Sequence, residues 1–186
     1  MQTRRAIFDD RNLSAVVLVG ARGSGKSTVG RLLAAAWQVG FIDLDERAVA
    51  LCGEPGVHAV FEHQGETAWR QAEAAALTAA LQESPTVIAT GGGVACIDPA
   101  RGVLQAAADE GIVEIVWLRC EAQTLKERLA SDPGDRPSLT GRDPIEEAIE
   151  VTASRAKAYE SIATCVIDAT QPPDTTTAAV LERLRR

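Results

Sequence analysis

A glycine-rich segment near the start of the chain has the spacing of a phosphate-binding loop. Residues 20–27 read Gly-Ala-Arg-Gly-Ser-Gly-Lys-Ser and satisfy the pattern G-x-x-x-x-G-K-[ST]. Glycines in this pattern let backbone N–H groups converge on phosphate oxygens, and the N-terminus of a following helix adds a positive dipole end. Lys26 is expected to reach the β- and γ-phosphates of a nucleotide, and the Ser27 hydroxyl to ligate Mg²⁺. The predicted nucleotide-binding residues are Gly23, Ser24, Gly25, Lys26, Ser27 and Thr28.

Two aspartates, Asp43 and Asp45, follow a short apolar run at 41–42. If a strand continues through them, both carboxylates point to the same side. One could then hold Mg²⁺ through water while the other accepts or orients a substrate hydroxyl. The alternative is a helix N-cap with an acidic first turn, since Asp45 and Glu46 open a helical pattern. The sequence alone leaves both interpretations open.

Two further groups of residues fit either a site or a plain structural role. Arg70 and Glu73 are three positions apart in a helical pattern that runs from about residue 65 to 82, so they share a face and form either a surface ion pair or part of a site. Gly91-Gly92-Gly93, the triple-glycine loop, follows a predicted strand. It either lets the backbone approach a ligand closely or only makes a turn.

The segment 131–144 is rich in proline, glycine and charged residues and cannot pack a core of its own. Long connections of this kind in compact domains are lids or binding loops, although a solvated surface loop has the same composition. Arg136 lies within the segment and is a candidate to close over a transferring phosphoryl group and stabilise its charge. Arg128 and Arg142 are alternatives for that role.

The elements that must position these residues alternate along the chain. Short apolar runs predict strands near residues 15–20, 41–42, 86–89, 112–118 and 163–167. Helical patterns separate them, and parallel strands need such crossover helices, so we predict an α/β fold with a parallel sheet covered on both faces. Ligands of these sheets bind at the carboxyl ends of the strands, where the candidate residues lie. The stretch 46–81 departs from the alternation because it is mostly helical.

The composition excludes several classes of function. The 186 residues carry 19 basic and 26 acidic side chains, a net charge of −7, so broad binding to nucleic acid or to an anionic membrane is not favoured. No apolar run approaches the roughly 18 residues of a membrane span. Residues 1–12 lack the apolar region of a secretion signal and are expected to be frayed. We expect a cytoplasmic protein that acts as a monomer. The cysteines and histidines show no metal-ligand spacing.

Taken together, the motifs resemble those of the shikimate kinase family. The resemblance runs from about Ala15 to Pro173. It is carried by GARGSGKST at 20–28, Asp43-Leu44-Asp45, Trp69-Arg70 with Glu73, the glycines at 91–93, Arg136-Pro137, and Arg155 followed by Tyr159. It implies a three-layer P-loop kinase fold with a five-stranded parallel sheet of order 2-3-1-4-5. It also implies that ATP, with Mg²⁺, phosphorylates the 3-hydroxyl of shikimate on the route to aromatic amino acids.

The resemblance divides the single domain into three parts. Residues 15–45, 84–130 and 163–186 form the nucleotide-binding core, 46–83 a helical substrate-binding region, and 131–144 a mobile lid. It also assigns roles in phosphoryl transfer: Lys26 and Ser27 serve the phosphates and Mg²⁺, Asp43 helps to hold the metal through water, and Asp45 hydrogen-bonds the substrate hydroxyls and is the preferred base.

The remaining roles implied by the resemblance concern the substrate and the lid. Arg70 and Arg155 clamp the shikimate carboxylate, where bidentate geometry fixes orientation as well as charge. Residues 91–93 supply backbone contacts to the substrate. Arg136 closes over the γ-phosphate, and Arg128 stacks on adenine.

Two other functions stay open from the sequence. One is a different P-loop kinase, of the gluconate type or phosphorylating a nucleotide, and the other is a non-catalytic ATP-binding module. Departures from the family pattern at Ser138, at Lys157-Ala158 and within 54–58 leave room for a related small-molecule kinase. Two arginines with a triple glycine suit a carboxylated polyol.

Overall fold

A computed structural model describes residues 6–131 and 143–185, and within these ranges five short strands form one sheet. The strands are β1 (Ala15–Val19), β2 (Gly40–Asp43), β3 (Thr86–Ala89), β4 (Val113–Arg119) and β5 (Cys165–Asp168). They lie in the order β2-β3-β1-β4-β5, and every neighbouring pair is parallel. The α/β fold and the strand order implied by the family resemblance are confirmed.

Helices connect the strands, as parallel pairing requires. In the described ranges they are α1 (Ala6–Arg11), α2 (Lys26–Trp37), α3 (Leu44–Cys52), α4 (Val57–His63), α5 (Gly65–Ala80), α6 (Ala100–Asp109), α7 (Ala122–Ser131), α8 (Pro144–Ile162) and α9 (Pro173–Leu184). The stretch between β2 and β3 holds α3, α4 and α5, as its helical pattern predicts. None of the helices so described is both long and apolar enough to cross a membrane.

The central strand β1 contributes to two hydrophobic cores, one on each face of the sheet. Ala15, Val17 and Val19 pack with residues of α3, α5 and α6 on one face. Val16 and Leu18 pack with residues of α1, α2 and α9 on the other. Because both faces are covered, β1 is buried at every position. Its sequence is therefore a continuous apolar run rather than an alternating one.

Helix α1 is held in place by an aromatic contact, so the expectation of a frayed start is wrong for the residues of this helix. Phe8 is only 3% exposed, and its ring packs edge-on against Trp37 with 5.6 Å between the ring centroids. Arg11 Nη1 also pairs with Glu114 Oε1 on β4 at 2.6 Å. A helix of six residues has too little periodicity to be recognised in the sequence. Its stability depends on partners far along the chain.

The carboxyl ends of the parallel strands face the same edge of the sheet, and the sequence motifs begin there. β1 leads into the phosphate-binding loop, β2 ends at Asp43, and β3 leads into the triple-glycine loop. The fold therefore gathers segments that are about 70 residues apart in the sequence.

The predicted lid, 131–144, is mostly outside the described residues, and so are Arg136 and Arg142. Its borders are described: α7 ends at Ser131, and α8 follows Asp143, whose Oδ1 accepts hydrogen bonds from the backbone N–H groups of the first turn. The division into core, substrate region and lid stays a prediction.

Candidate active site

The phosphate-binding loop between β1 and α2 owes its shape to glycines. Gly23 and Gly25 have φ values of 79° and 91°, which residues with a Cβ rarely adopt. Helix α2 begins directly at Lys26, so the helix N-terminus lies at the loop. Lys26 is 9% exposed, and its ammonium donates hydrogen bonds to the Gly20 and Ala21 carbonyl oxygens at 2.9 and 2.7 Å. The loop is wrapped around its own lysine.

The Ser27 hydroxyl and the Asp43 carboxylate meet beside this loop. Ser27 Oγ donates to Asp43 Oδ2 at 2.6 Å, and Asp43 Oδ1 accepts from the Asp45 backbone N–H at 3.2 Å. The premise that a strand continues through both aspartates is wrong, because β2 ends at Asp43 and α3 begins at Leu44. Asp43 caps this helix and contacts Ser27 at the same time. The helix-cap interpretation is therefore confirmed for Asp43, and its role in holding Mg²⁺ stays a prediction.

The donor set formed by Ser27 and Asp43 fits a magnesium ion. Mg²⁺ takes oxygen ligands, keeps several waters, and in kinases is held by one or two protein groups together with substrate phosphates. A hydroxyl and a carboxylate oxygen 2.6 Å apart at the edge of a phosphate-binding loop supply oxygen ligands of this kind.

Side chains from α3 and α5 approach the triple-glycine loop so closely that two of its positions exclude a Cβ. A Cβ at Gly91 would overlap Asp45 Oδ1 and would lie 2.8 Å from Glu73 Oε1. A Cβ at Gly93 would lie 2.6 Å from Arg70 Nη1. Real Cβ atoms essentially never come within 3.0 Å of such atoms. The glycines thus bring the backbone into contact with charged side chains and do more than make a turn.

Arg70 is held in place by two glutamates of its own helix, α5. Its Nη1 donates to Glu73 Oε2 at 2.7 Å, and its Nη2 donates to Glu66 Oε1 at 2.9 Å. The Arg70 side chain is 15% exposed and that of Glu73 only 1%, so this is not a solvated surface pair. Burial acts to lower the pKa of Arg70, but the hydrogen bonds and charges of the two glutamates outweigh it and raise the pKa above its ordinary value. The guanidinium is fixed in its charged form.

Helix α8 brings Arg155 and Tyr159 to the same side of the triple-glycine loop. The buried Tyr159 donates a hydrogen bond from Oη to the Gly92 carbonyl oxygen at 2.6 Å. The side chains of Arg155 and Cys96 lie against the same hydroxyl. Burial, reinforced by the nearby Cys96, raises the pKa of Tyr159 well above its usual value. The phenol is therefore neutral and keeps its proton at ordinary pH.

Two adjoining pockets lie at this edge of the sheet. The nucleotide cleft, of about 530 Å³, follows the phosphate-binding loop. The smaller arginine pocket, of about 110 Å³, is lined by Trp69, Arg70, Gly93, Arg155 and Tyr159 among others. Arg22, Val57 and Gly92 line both, so the pockets open onto one another. A large ligand in the first and a small one in the second would meet at Gly92.

Arg128 lies at the nucleotide cleft, where backbone carbonyl groups hold its guanidinium. Its Nη1 donates to the Gly23 carbonyl oxygen at 3.3 Å, and its Nη2 donates to those of Thr170 and Gln171 at 3.3 and 3.1 Å. It therefore ties the phosphate-binding loop to the segment between β5 and α9. Pro173, the first residue of α9, lines the same cleft.

The arginine pocket contains side chains that the sequence reasoning missed. Glu147 and Thr152 lie on α8 and line the pocket together with Arg155. They precede Arg155 by eight and three residues, a spacing that puts all three on one face of a helix. Val57 and Phe61 of α4 also line the pocket, and their separation of four residues puts them on one face of that helix. These residues can be found in the sequence only once Arg155 has been assigned to the pocket.

The phosphate-binding loop and the N-terminus of α2 line one pocket, and a second, smaller pocket beside it presents two guanidinium groups, those of Arg70 and Arg155. In a parallel sheet of order 2-3-1-4-5, this arrangement defines a P-loop kinase that acts on a small metabolite. A family profile described as shikimate kinase matches residues 22–185. The chain belongs to the shikimate kinase family.

Individual relatives agree with the family match. Shikimate kinase 2 of Sodalis glossinidius is 40% identical over 169 residues, which are 90% of this chain and 93% of that protein. Shikimate kinase 2 of Yersinia enterocolitica is 39% identical over 91% of this chain and 94% of its own length. The structure of shikimate kinase from Acinetobacter baumannii in complex with shikimate matches with a TM-score of 0.83 at 26% identity, covering 96% of this chain and 97% of that one.

Proposed function

We propose that this chain transfers the γ-phosphoryl group of ATP to the 3-hydroxyl of shikimate and releases shikimate 3-phosphate and ADP. The reaction belongs to the route to aromatic amino acids, and in this role the chain acts as a cytoplasmic monomer. The observation that carries the proposal is the meeting of Arg70 of α5 and Arg155 of α8 in one small pocket beside the phosphate-binding loop. Two guanidinium groups on separate helices suit one carboxylate, which they would bind and orient.

On the nucleotide side, the chain's own groups hold the phosphates. Backbone N–H groups of the loop and the N-terminus of α2 face the phosphate chain, and the Lys26 ammonium is positioned by the loop carbonyls that it contacts. Ser27 and Asp43 would hold Mg²⁺, which when bound neutralises charge on the β- and γ-phosphates. Lys26 stabilises the negative charge that spreads over the transferring group.

On the acceptor side, Asp45 is the group that handles the proton. Its carboxylate lies against Gly91 and lines the nucleotide cleft, where it accepts hydrogen bonds from substrate hydroxyls. As the 3-oxygen bonds to the γ-phosphorus and the bond from phosphorus to the ADP oxygen breaks, the hydroxyl proton passes to Asp45. The backbone of residues 91–93 supports the ring while the two arginines hold its carboxylate.

Two roles remain predictions from the family resemblance. Arg136 closes over the γ-phosphate when the lid shuts. Arg128 offers the face of its guanidinium to adenine, because its edge is already hydrogen-bonded to the Thr170 and Gln171 carbonyl oxygens.

The test is ADP release by the purified chain with ATP and Mg²⁺, with shikimate, quinate, gluconate and AMP offered separately. We expect turnover that depends on shikimate, and phosphorus NMR of the product should place the new phosphate on the 3-oxygen. ATP consumption that is the same with or without shikimate, or that prefers gluconate or AMP, would contradict the proposal. A Lys26→Met variant in the same assay controls for contaminating kinases.

A further inference from the structure

Tyr159 joins parts of the arginine pocket that come from different regions of the chain. It lies on α8, one helical turn after Arg155, and is 1% exposed. Its ring packs against Trp117 of β4 with 5.7 Å between centroids, which fixes the position of the phenol. Its hydroxyl contacts Gly92, in the loop after β3, and Arg155 on its own helix.

The direction of these hydrogen bonds follows from the groups involved. A guanidinium can only donate hydrogen bonds, and a carbonyl oxygen can only accept them. A phenol donates one hydrogen bond through its O–H and accepts others at its oxygen lone pairs. Tyr159 donates its single proton to the Gly92 carbonyl oxygen at 2.6 Å, so the lone pairs of its oxygen are left to face the adjacent Arg155 guanidinium. The Tyr159 hydroxyl therefore links the Arg155 guanidinium beside it to the backbone of the triple-glycine loop.

The neighbours of Gly92 explain why this connection matters for the pocket. Gly93 is the position that Arg70 Nη1 approaches, and Gly91 is the position that Asp45 approaches. A shift of the Gly92 carbonyl would move both of these contacts. Tyr159 thus connects Arg155 to the same stretch of backbone on which Arg70 and Asp45 converge.

We propose that Tyr159 is a positioning residue for the acid substrate, because its hydroxyl fixes the position of Arg155 relative to the triple-glycine loop. This inference rests on the proposed function. Tyr159 acts through Arg155 and Gly92 and takes no part in phosphoryl transfer itself. The protonated state that burial gives the phenol is the one the role requires.

The first experiment removes only the hydroxyl. In Tyr159→Phe we expect the KM for shikimate to rise about tenfold, the size of one buried hydrogen bond, with the KM for ATP unchanged and kcat reduced much less. Thr86→Val is the matched control: Thr86 is fully buried and donates from Oγ1 to the Gly40 carbonyl oxygen at 3.1 Å, at the opposite end of β3. It should lose some thermal stability and keep the wild-type KM for shikimate.

The second experiment asks whether Tyr159 acts through Arg155. In an Arg155→Ala background the additional change Tyr159→Phe should raise the KM for shikimate by less than about twofold, because the group it positions is gone. A full tenfold effect in that background would overturn the proposal. So would an unchanged KM in the single variant, or equal losses in both KM values and in thermal stability, which would indicate a packing role only.

The wild-type chain in the same assay separates the two proposals. Shikimate-dependent turnover by the wild type with no effect of Tyr159→Phe would refute the positioning role alone. Absence of shikimate-dependent turnover in the wild type would refute the proposed function and, with it, the role of Tyr159.

Discussion

Replacing Gly93 by alanine tests whether the triple-glycine loop sets the position of Arg70. The new Cβ would lie 2.6 Å from Arg70 Nη1, and ordinary contact begins at about 3.4 Å, so the guanidinium must retreat by about 0.8 Å. The clashing atom is the end of a flexible side chain, so the shift is possible without unfolding. It lengthens the 2.7 Å hydrogen bond to Glu73 and, in the proposed function, moves the guanidinium away from the substrate carboxylate.

The expected effect is on binding geometry rather than on folding. A misplacement approaching 1 Å costs up to about a hundredfold in a positioned site, so we expect the KM for shikimate to rise by about 10- to 100-fold. The free energy of unfolding should fall by only about 1 kcal/mol, since one hydrogen bond is weakened and no cavity is opened. Steady-state ADP release and urea unfolding measure the two quantities.

Gly91→Ala is the companion variant, which separates the role of Arg70 in binding the acid from the role of Asp45 as the base. Its Cβ would overlap Asp45 Oδ1 and lie 2.8 Å from Glu73 Oε1. Because Asp45 is the closer contact, the variant should lower kcat more than it raises the KM for shikimate, and the smaller KM effect would pass through Glu73 to Arg70. An unchanged KM in Gly93→Ala with a folded protein would refute the assignment of Arg70 to the acid. Identical kinetic losses in the two variants would show that the loop acts as a single unit and that the glycines do not serve separate side chains.

Two further predictions concern the nucleotide site and the N-terminal helix. Lys26→Met should lower kcat by at least about a hundredfold, because it removes the charge that faces the transferring group. A circular dichroism spectrum and a melting curve like those of the wild type would show that the variant is folded and that the loss is chemical. Near-normal turnover would contradict the role of Lys26 in phosphoryl transfer. Phe8→Ala should reduce the free energy of unfolding by about 3 kcal/mol, measured by urea titration, because a buried ring packed on Trp37 is lost. Its kinetic constants should stay at wild-type values, since α1 packs on the face of the sheet opposite to α3 and α5, and a change in the KM for shikimate would speak against that separation.

The sequence predicted well those parts of the site that depend on local conformation. The phosphate-binding loop is one continuous segment whose glycines and helix start are local properties, so strand, loop and helix appear as the pattern predicts. The parallel sheet follows from buried apolar runs separated by helices, a property that composition and spacing carry directly. Where β2 becomes α3 was not predicted, because Asp43 has the properties of both a strand end and a helix cap.

Contacts between distant segments could not be predicted in the same way. Arg70 and Glu73 have the spacing of a surface pair, and only the packing of α5 against α3 and the triple-glycine loop buries Glu73. Glu147 and Thr152 are unremarkable polar residues until α8 is placed over the triple-glycine loop. Phe8 likewise depends on Trp37, a residue in another helix. Each case requires the tertiary arrangement, which local patterns do not contain.

In the proposed function, the partners of the two arginines give each of them a different part in holding the acid. Arg70 is paired with the buried Glu73 and with Glu66, so much of its charge is balanced within α5 before any ligand binds. What it offers a carboxylate is a rigid guanidinium whose orientation is already fixed, which lowers the entropic cost of binding. Arg155 lies against a neutral phenol, which orients the guanidinium without balancing its charge. Arg70 therefore contributes mainly direction and Arg155 mainly attraction, and a single arginine in either setting would lack one of the two.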